Sequence, residues 1–414
     1  MLSDRTYEIM APAGSWECLR AAVAAGADSV YFGIGQLNMR SHSTANFSTD
    51  DLPEVTAFCN SRGVRTYLTV NTVLYDEDLD TMRHIIDSAK MAGVSAIIAS
   101  DVAAMQYANQ IGVEVHLSTQ LNIANVEALR FYAQFADVVV LARELNLDQV
   151  AAISQAIGRE HIVGRSGKPV RIEMFCHGAL CMAVSGKCYL SLHEFGRSAN
   201  RGECMQVCRR GYTVFDNEGD VELAIDNKYI MSPKDLKTIH FMNKMLDAGV
   251  SVFKIEGRAR GAEYVKTTVE CYKEALEACQ DGSFGEAKIA AWDQRLATVF
   301  NRGFWNGYYL GQRLGEWTPR YGSQATRKKE YLGVISNYYK KIGVAEITLH
   351  TGRLAVGDDI LVIGETTGLF EATVEELRDN DTRVCQAAEK GQVCSMKTPE
   401  VLHRGDKVYK WVTV

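Results

Sequence analysis

Eight short apolar segments, each followed by a stretch with helical periodicity, constrain the fold of this 414-residue chain more than any other feature. The segments are rich in β-branched residues and apolar on both faces, as buried strands of a parallel sheet are. They are Tyr7–Ala11, Ser29–Gly33, Arg65–Asn71, Ala96–Ser100, Glu114–Thr119, Asp137–Ala142, Arg171–Cys176 and Ser251–Glu256. Eight such units predict an α/β fold, a (β/α)8 TIM-like barrel. An open doubly wound sheet is the rival, but no G-x-G-x-x-G motif follows the first strand.

Two departures from this pattern define the domains. The alternation lapses between residues 178 and 230, which predicts a cysteine-rich insertion after strand seven, with a hairpin over Tyr212–Ala224. Near the end of the chain, short strands are separated by Gly-Asp turns such as Gly357-Asp358, which predicts a small all-β barrel. We therefore predict a catalytic barrel domain over residues 1–318, carrying the insertion, and a C-terminal β-barrel module over residues 330–414.

Composition argues against several classes of protein. The net charge of −6 is not that of a globally basic nucleic-acid-binding protein, although a local basic patch stays open. The N-terminus does not resemble a secretory signal, and no run of 18 apolar residues is present to span a membrane. Eleven cysteines, an odd number, argue against a closed disulfide framework. We therefore expect a cytoplasmic protein without a membrane segment, whose thiols are available to a metal.

Five cysteines crowd into 33 residues: Cys176, Cys181, Cys188, Cys204 and Cys208. Iron–sulfur clusters take cysteine thiolates, usually four, and the last four cysteines supply two pairs from one loop. Structural zinc more often shows C-x2-C knuckles, which this segment lacks. From spacing alone, an iron–sulfur cluster, a zinc site and unligated thiols all stay open. Cys176 ends a predicted strand, so we expect it to be the cysteine outside any such site.

Polar residues gather at the predicted carboxyl ends of the strands, where TIM barrels place their active sites. They are Asn71, Ser100, Asp101, Ser118, Gln120, Arg143, Glu144, His177, Glu256 and Arg258. Asp101 and Ser118 have a structural alternative as helix N-caps. The basic residues of the insertion form either a local patch or a solvated face; they are Lys187, Arg197, Arg201, Arg209, Arg210 and Lys228. No H-E-x-x-H, G-x-S-x-G or Walker motif is present, so no known peptidase arrangement is visible.

One long segment carries a family resemblance: Glu173-Met-Phe-Cys-His-Gly-Ala-Leu-Cys-Met-Ala-Val-Ser-Gly-Lys-Cys-Tyr-Leu-Ser191. It resembles the signature of the collagenase-like peptidases of unassigned catalytic type, peptidase family U32. Further matches are Ala11-Pro-Ala-Gly14, Arg143-Glu-Leu145, Asn200-Arg-Gly-Glu-Cys204, Ser232-Pro-Lys-Asp-Leu236 and Lys254-Ile-Glu-Gly-Arg258. The resemblance covers nearly the whole predicted barrel, and the β-rich tail is similar to the C-terminal module of the family.

The resemblance implies an oxygen-independent hydroxylase, because branches of this family hydroxylate tRNA wobble uridine, ribosomal RNA cytidine or ubiquinone. The residues here are most similar to the tRNA branch, which forms 5-hydroxyuridine with prephenate as hydroxyl donor. That branch implies a [4Fe–4S] cluster held by Cys181, Cys188, Cys204 and Cys208. Cys176 has no place in the family pattern.

The resemblance and the predicted barrel mouth together assign binding roles. Arg40, Arg143 and Arg258 are expected to bind the carboxylates of prephenate, because guanidinium groups suit carboxylates. Ser118 and Gln120 are expected to hydrogen-bond a base edge or the donor. The basic insertion would hold tRNA phosphates, with the β module as a second contact. A paralogous partner subunit stays open.

Three residues are predicted to act in catalysis: His177, Glu144 and Glu256. Hydroxylation at uracil C5 requires proton movement, which these side chains could support. The structural alternative is that Glu144 and Glu256 form ion pairs with neighbouring arginines. Two other functions stay open: a peptidase, favoured by the family label, and a scaffold or partner that binds the cluster and RNA without turnover.

Overall fold

The computed structural model describes residues 7–41, 47–213 and 229–414, so nearly all of the hairpin predicted at Tyr212–Ala224 lies outside the described residues. Ten strands of that part share one sheet: β1 (Glu8–Pro12), β2 (Ser29–Phe32), β3 (Arg65–Val70), β4 (Ala96–Ala99), β5 (Val115–Leu117), β6 (Val138–Val140), β7 (Arg171–Gly178), β8 (Asp235–Lys237), β9 (Val250–Ile255) and β10 (Phe304–Trp305).

Eight of these described strands close a parallel barrel. Strands β1 to β7 pair in chain order, and β9 pairs in parallel with both β1 and β7. The barrel predicted from the eight apolar segments is therefore confirmed, and the observed strands agree with the predicted ones to within two or three residues at each end. Closure places the carboxyl ends of all eight strands around one mouth.

Helices surround the barrel: α1 (Trp16–Ala24), α2 (Leu52–Asn60), α3 (Leu79–Ala92), α4 (Val102–Ile111), α5 (Val126–Ala133), α6 (Leu147–Arg159), α7 (Leu190–Phe195), α8 (Met242–Asp247), α9 (Ala262–Asp281) and α10 (Glu286–Ala297). Asp101 caps α4 by accepting a hydrogen bond from the Ala103 amide at 2.9 Å, which confirms its structural alternative. Gly93 and Gly112 adopt positive φ at the ends of α3 and α4, as expected of C-caps. Nowhere in the described chain does a helix combine the length and the apolar character that crossing a bilayer requires.

The sequence has helical periodicity over Pro233–Ala248, which predicts one helix, but that prediction is wrong in its first half. The chain instead forms β8, which pairs with β10 and with the end of β7, and only then enters α8. A buried ion pair stabilises this arrangement, because Asp235 lies 3.3 Å from the Arg302 guanidinium. Tertiary pairing has overridden the helical periodicity of the sequence here.

The two faces of the barrel wall carry different side chains. The outer face and the helices form one large apolar core, which includes Ile9 and Leu68. Alternate residues point inward, and a separate apolar cluster occupies the barrel interior: Met10, Tyr31, Tyr67, Ala96, Ile98, Val138 and Val252. Buried charged and titratable residues, Glu8, His116, Glu173 and Lys254, share this interior.

The C-terminal region is all-β, as predicted. Its strands are β11 (Arg327–Tyr339), β12 (Val344–Leu349), β13 (Arg353–Ala355), β14 (Asp359–Gly364), β15 (Gly368–Thr373), β16 (Leu377–Asp379), β17 (Val384–Cys385), β18 (Ala387–Glu389), β19 (Val393–Lys397) and β20 (Lys407–Thr413). Antiparallel sheets of eight and two strands result. Ion pairs dock this region on the barrel, among them Lys329 with Glu263 at 2.8 Å and Lys266 with Glu371 at 2.7 Å.

Candidate functional site

A cavity of about 250 Å³ lies at the carboxyl-terminal mouth of the barrel, roofed by the insertion. We call it the mouth cavity. Ten of the twelve predicted site residues line it: Arg40, Ser118, Gln120, Arg143, Cys181, Cys188, Cys204, Cys208, Glu256 and Arg258. Barrel strands and the insertion therefore contribute to one site, as the predicted strand ends required.

Contacts with the barrel hold the insertion over this cavity. The half-buried Arg209 guanidinium donates to the carbonyl oxygens of Leu180 and Pro233, the latter at 2.7 Å. Arg201 donates to Asp78 at 2.7 Å, which ties the insertion to the loop after β3. The insertion is therefore held in place over the cavity, because carboxylate and main-chain oxygens accept hydrogen bonds from its arginines.

Four thiols of the insertion share the mouth cavity. Burial raises the pKa of Cys188, and negative charge on Cys181 and Cys204 raises it further. Burial also raises the pKa of Cys208, with a further rise from the other three thiols and an opposing effect of Arg209. Cys181 and Cys204 therefore lie within electrostatic range of Cys188, and all three lie within range of Cys208.

The fifth cysteine lies elsewhere. Cys176 is fully buried, does not line the mouth cavity, and its thiol donates to the Lys254 carbonyl at 3.4 Å. Over residues 7–41, 47–213 and 229–414, no group of three or more His, Cys, Asp and Glu side chains is arranged to hold a single metal ion. Each cysteine of a [4Fe–4S] cluster binds a different iron, so its four thiolates need not converge on one point. Four thiols that share one lining are the type of donor that such a cluster takes.

Positive charge dominates the lining. Six arginines and Lys254 face a single carboxylate, Glu256. Glu256 forms an ion pair with Arg40 at 3.0 Å. Burial alone would raise the pKa of Glu256, but Arg40, Arg260 and Arg143 outweigh it and lower the pKa. The ion pair with Arg40 is the structural alternative that the sequence left open for Glu256, and its catalytic role stays a prediction.

The other two predicted arginines bind neutral acceptors. Arg143 donates to the Ala179 carbonyl at 3.2 Å, and its guanidinium stacks 3.8 Å from the Phe175 ring centroid. Arg258 donates to Asn38 at 3.2 Å and to Thr69 at 3.0 Å. Burial, together with the nearby charge of Arg40, lowers the pKa of Arg258 to about 10. These hydrogen bonds go to neutral oxygens, and neither guanidinium group has a salt-bridge partner among the described residues.

A small amide and hydroxyl network after β3 and β5 also lines the cavity. Asn71 donates to Ser118 at 3.1 Å and to Gln120 at 3.3 Å, and the Ser118 hydroxyl also donates to Gln120. Ser118 precedes a short 3-10 turn at Thr119–Leu121 but makes no side-chain cap bond there. The N-cap alternative for Ser118 is therefore not realised, and its hydroxyl belongs to the cavity.

Two predicted catalytic residues lie outside the mouth cavity. Glu144 lines a smaller neighbouring pocket. His177 is packed among Tyr264, Tyr272 and Phe304, and its Nδ1 lies 3.4 Å from the Tyr272 hydroxyl. Burial, aided by the charge of Lys237, lowers the pKa of His177 to about 3, so the imidazole is neutral. The reason is a register shift between Phe175 and His177, which reverses the alternation of side chains along β7.

The most informative residue that sequence reasoning missed is Lys254. It lies on β9, is 5% exposed, and lines the mouth cavity. A lysine inside an apolar strand was the available signal, because an unpaired lysine is almost never buried. Its ammonium donates to Glu173 at 2.7 Å, another residue of the barrel interior.

The predicted basic patch is smaller than the sequence suggested. Arg201 pairs with Asp78, Arg209 donates to main-chain carbonyls, and Arg210 lies 3.5 Å from Glu194. Lys228 lies outside the described residues. The insertion therefore uses much of its positive charge for its own structure.

Comparison with known proteins places this site in a family. The model of peptidase family U32 matches residues 14–319. A collagenase of Porphyromonas gingivalis strain W83 is 63% identical over 405 residues, which cover 98% of each chain. The tRNA hydroxylation protein P1 of Bacillus subtilis is 32% identical over 392 residues, covering 92% of this chain and 89% of that protein. The 23S rRNA 5-hydroxycytidine C2501 synthase of Escherichia coli K12 is 33% identical, covering 92% of this chain and 57% of that protein. Since the family match spans most of the chain, including every strand of the barrel beyond β1, this protein belongs to peptidase family U32.

Proposed function

We propose that this protein hydroxylates uridine at the wobble position of tRNA, forming 5-hydroxyuridine with prephenate rather than O2 as hydroxyl donor. The observation that carries the proposal is the mouth cavity, where four thiols share one space with uncompensated arginines. Thiolates suit a redox cofactor, and guanidinium groups suit a dicarboxylate. The relatives named for tRNA and ribosomal RNA hydroxylation support this class of substrate. The work of such an enzyme on tRNA implies a cytoplasmic location.

Cys181, Cys188, Cys204 and Cys208 would hold a [4Fe–4S] cluster, which supplies electron-transfer chemistry when bound. Their common position in the lining supports this assignment, as does the raised pKa of Cys188 and of Cys208, to which neighbouring thiols contribute. Cluster iron would also neutralise the thiolate charge that the buried site disfavours. The chain's own residues supply the remaining functions of the cavity: binding, orientation and proton transfer.

The prephenate carboxylates would bind Arg143 and Arg258. Arg40 is already paired with Glu256, whereas the hydrogen bonds of the other two arginines go to neutral oxygens. In addition, Arg143 Nε is buried without a hydrogen-bond partner, so it has a donor to spare for a ligand. Ser118 and Gln120, after β5, would hydrogen-bond the uracil edge. The outer surface of the insertion and the C-terminal sheets would contact tRNA, with or without a paralogous partner.

The first test is the metal content of protein purified without oxygen, together with tRNA nucleosides measured by mass spectrometry in a deletion strain. We expect about four irons and four sulfides per chain. Complementation by wild type should restore 5-hydroxyuridine, and Cys204→Ala should lose both the cluster and the modification. Cys279→Ala, which removes a half-buried thiol of α9, is the matched control and should behave as wild type. Zinc in place of iron, or no metal, would contradict the proposal.

The arginine assignment has its own test. Replacing Arg143 and Arg258 together by alanine should lower prephenate-dependent hydroxylation by at least about 100-fold, because each charged hydrogen bond contributes about 1.5–3 kcal/mol. The iron content should not change. Arg83→Ala, on the exposed face of α3, is the control for removing a guanidinium group. Full turnover of the double variant with prephenate would exclude these two residues as the carboxylate site.

A peptidase is the second candidate, since the 63%-identical relative is named collagenase. Cleavage of gelatin by pure protein, persisting when inhibitors of trace proteases are present, would favour it. A scaffold or partner role would show differently: the deletion strain would lose 5-hydroxyuridine, but the purified cluster-loaded protein would not turn over alone.

A further inference from the structure

A row of buried titratable side chains crosses the barrel interior from one mouth to the other. It begins with Glu114, just before β5, whose side chain is 32% exposed. His116 on β5, Glu173 on β7 and Lys254 on β9 follow, and all three are buried. Lys254 ends the row, because it lines the mouth cavity.

The contacts along this row are short. His116 Nε2 lies 3.0 Å from a Glu114 oxygen, and Lys254 Nζ donates to Glu173 Oε1 at 2.7 Å. Between these pairs, His116 Nδ1 lies 4.0 Å from Glu173 Oε2. A movement of about 1 Å would turn that gap into a hydrogen bond. The row is therefore one step short of a continuous hydrogen-bonded path.

A purely structural salt bridge does not account for this arrangement. His116 Nδ1 and Glu173 Oε2 are both buried, and both lack a hydrogen-bond partner in the described structure. Such orphan atoms cost about 1–3 kcal/mol each, so a group kept only for stability would be satisfied. Here the two orphans face each other, at the only point where the row is interrupted.

Lys254 itself has the surroundings of a base. Its ammonium lies over the rings of Tyr31 and Phe175, at 4.6 and 5.6 Å from their centroids. Burial lowers the pKa of Lys254, Glu173 opposes that effect, and the charges of Arg258 and Arg143 add to it. A lysine in such a site releases and accepts protons more readily than one in water.

We infer that Lys254 is the base of the mouth cavity and that Glu173, His116 and Glu114 conduct its proton to the opposite mouth of the barrel. The inference rests on the proposed function, in which the pyrimidine ring loses its C5 proton when a hydroxyl group replaces it. The Lys254 ammonium first passes a proton to Glu173, and the neutral amine then accepts the C5 proton. Glu173 protonates His116 at Nδ1, and His116 releases its Nε2 proton to Glu114 and then to water. Each group gains and loses one proton, so no other reactant is needed.

Kinetics of the cluster-loaded enzyme test the base. Lys254→Arg keeps a cation beside Glu173, but guanidinium does not accept protons at neutral pH, so kcat should fall by about 100-fold. Iron content and melting temperature show whether the variant is folded. If the charge alone mattered, arginine would restore activity, and full activity of Lys254→Arg would overturn the assignment.

The relay residues need a readout that a structural role would not move. Glu173→Gln should lower kcat by about 10-fold, leave KM for prephenate unchanged and raise the solvent deuterium isotope effect, because proton release becomes limiting. Tyr67→Phe is the matched control, since Tyr67 is buried 4.4 Å from the His116 ring but donates to Glu8, outside the row. An effect of Glu173→Gln no larger than that of Tyr67→Phe would overturn the relay.

A crystal structure of the wild-type holoprotein separates this inference from the proposed function. We expect His116 Nδ1 and Glu173 Oε2 to be joined directly at about 2.7–3.2 Å, or through an ordered water. If both atoms have turned to other partners, the relay is wrong, even where the enzyme hydroxylates tRNA. Absence of hydroxylated product from wild type would instead overturn the proposed function, and with it the role of Lys254 as a base.

Discussion

The outer and inner faces of the barrel wall are built on the same strands, but only the inner face adds buried charged side chains to its apolar ones. On β1, Ile9 points outward into a continuous apolar core, while its neighbour Glu8 points inward and binds Arg171 and Tyr67. On β9, Phe253 and Lys254 show the same contrast. The outer face stabilises the fold, whereas the inner face places charged groups where water cannot reach them.

The energetics of the two faces differ accordingly. Burying an aliphatic side chain contributes about 1.5–3 kcal/mol. A buried ion pair contributes little net stability, because desolvation offsets the attraction between its partners. The inner face therefore lowers the stability that the barrel could otherwise reach. Proton transfer in the mouth cavity is a physical reason for keeping charged groups on the inner face. The buried His116 Nδ1 and Glu173 Oε2 atoms, which lack hydrogen-bond partners, are consistent with that role.

The largest expected effect comes from breaking the pair inside the barrel. Lys254→Met leaves the Glu173 carboxylate buried and unpaired, so the free energy of unfolding should fall by about 3–5 kcal/mol. Adding Glu173→Leu should restore stability to about the wild-type value, because two apolar side chains then replace two charges. Urea unfolding at neutral pH measures both variants. If Lys254→Met alone were as stable as wild type, the Lys254–Glu173 pair would not be buried as described.

A substitution on the outer face should have a smaller effect. Ile9→Val removes one methyl group from the core and should cost about 0.5–1.5 kcal/mol, without changing hydroxylation or iron content. The same urea experiment measures it, with the exposed Val414→Ala as control. Loss of activity in Ile9→Val at unchanged iron content would show that the outer face also serves the chemistry, and the contrast between the faces would fail.

The sequence predicts the outer face well and the inner face poorly. Apolar, β-branched runs such as Ala96–Ser100 are recognisable one at a time, because each strand is buried whatever lies beside it. The pairing of Lys254 with Glu173 joins residues 81 positions apart and exists only once the barrel has closed. No local pattern in the sequence contains that information.

The candidate site shows the same division. The four cysteines and the two uncompensated arginines could be predicted, since they lie in distinctive motifs at strand ends. The position of His177 could not, because one register shift in β7 turns its ring away from the mouth cavity. Similarly, the sequence does not show that the Arg209 guanidinium donates to the main-chain carbonyl of Leu180. Side-chain direction depends on pairing details that propensities do not encode.

The smallest expected effect at neutral pH concerns Glu114, where the inner face meets water. Burial would raise its pKa, but the hydrogen bond and charge of His116, with the charge of Arg65, lower it to about 2 from its ordinary value of 4.5. A carboxyl with a depressed pKa stabilises the fold fully above the unfolded value, and that stability is lost as the pH falls towards the folded value. The wild-type urea midpoint should therefore fall as the pH is lowered from about 5 to about 2.

Glu114→Gln keeps an acceptor for His116 but cannot titrate, so its urea midpoint should fall less steeply with pH than that of wild type. Glu54→Gln, on the exposed side of α2, is the matched control for losing one carboxyl group. Identical slopes for Glu114→Gln and wild type would mean that Glu114 is not held ionised by His116, and the solvent end of the row would have to lie elsewhere.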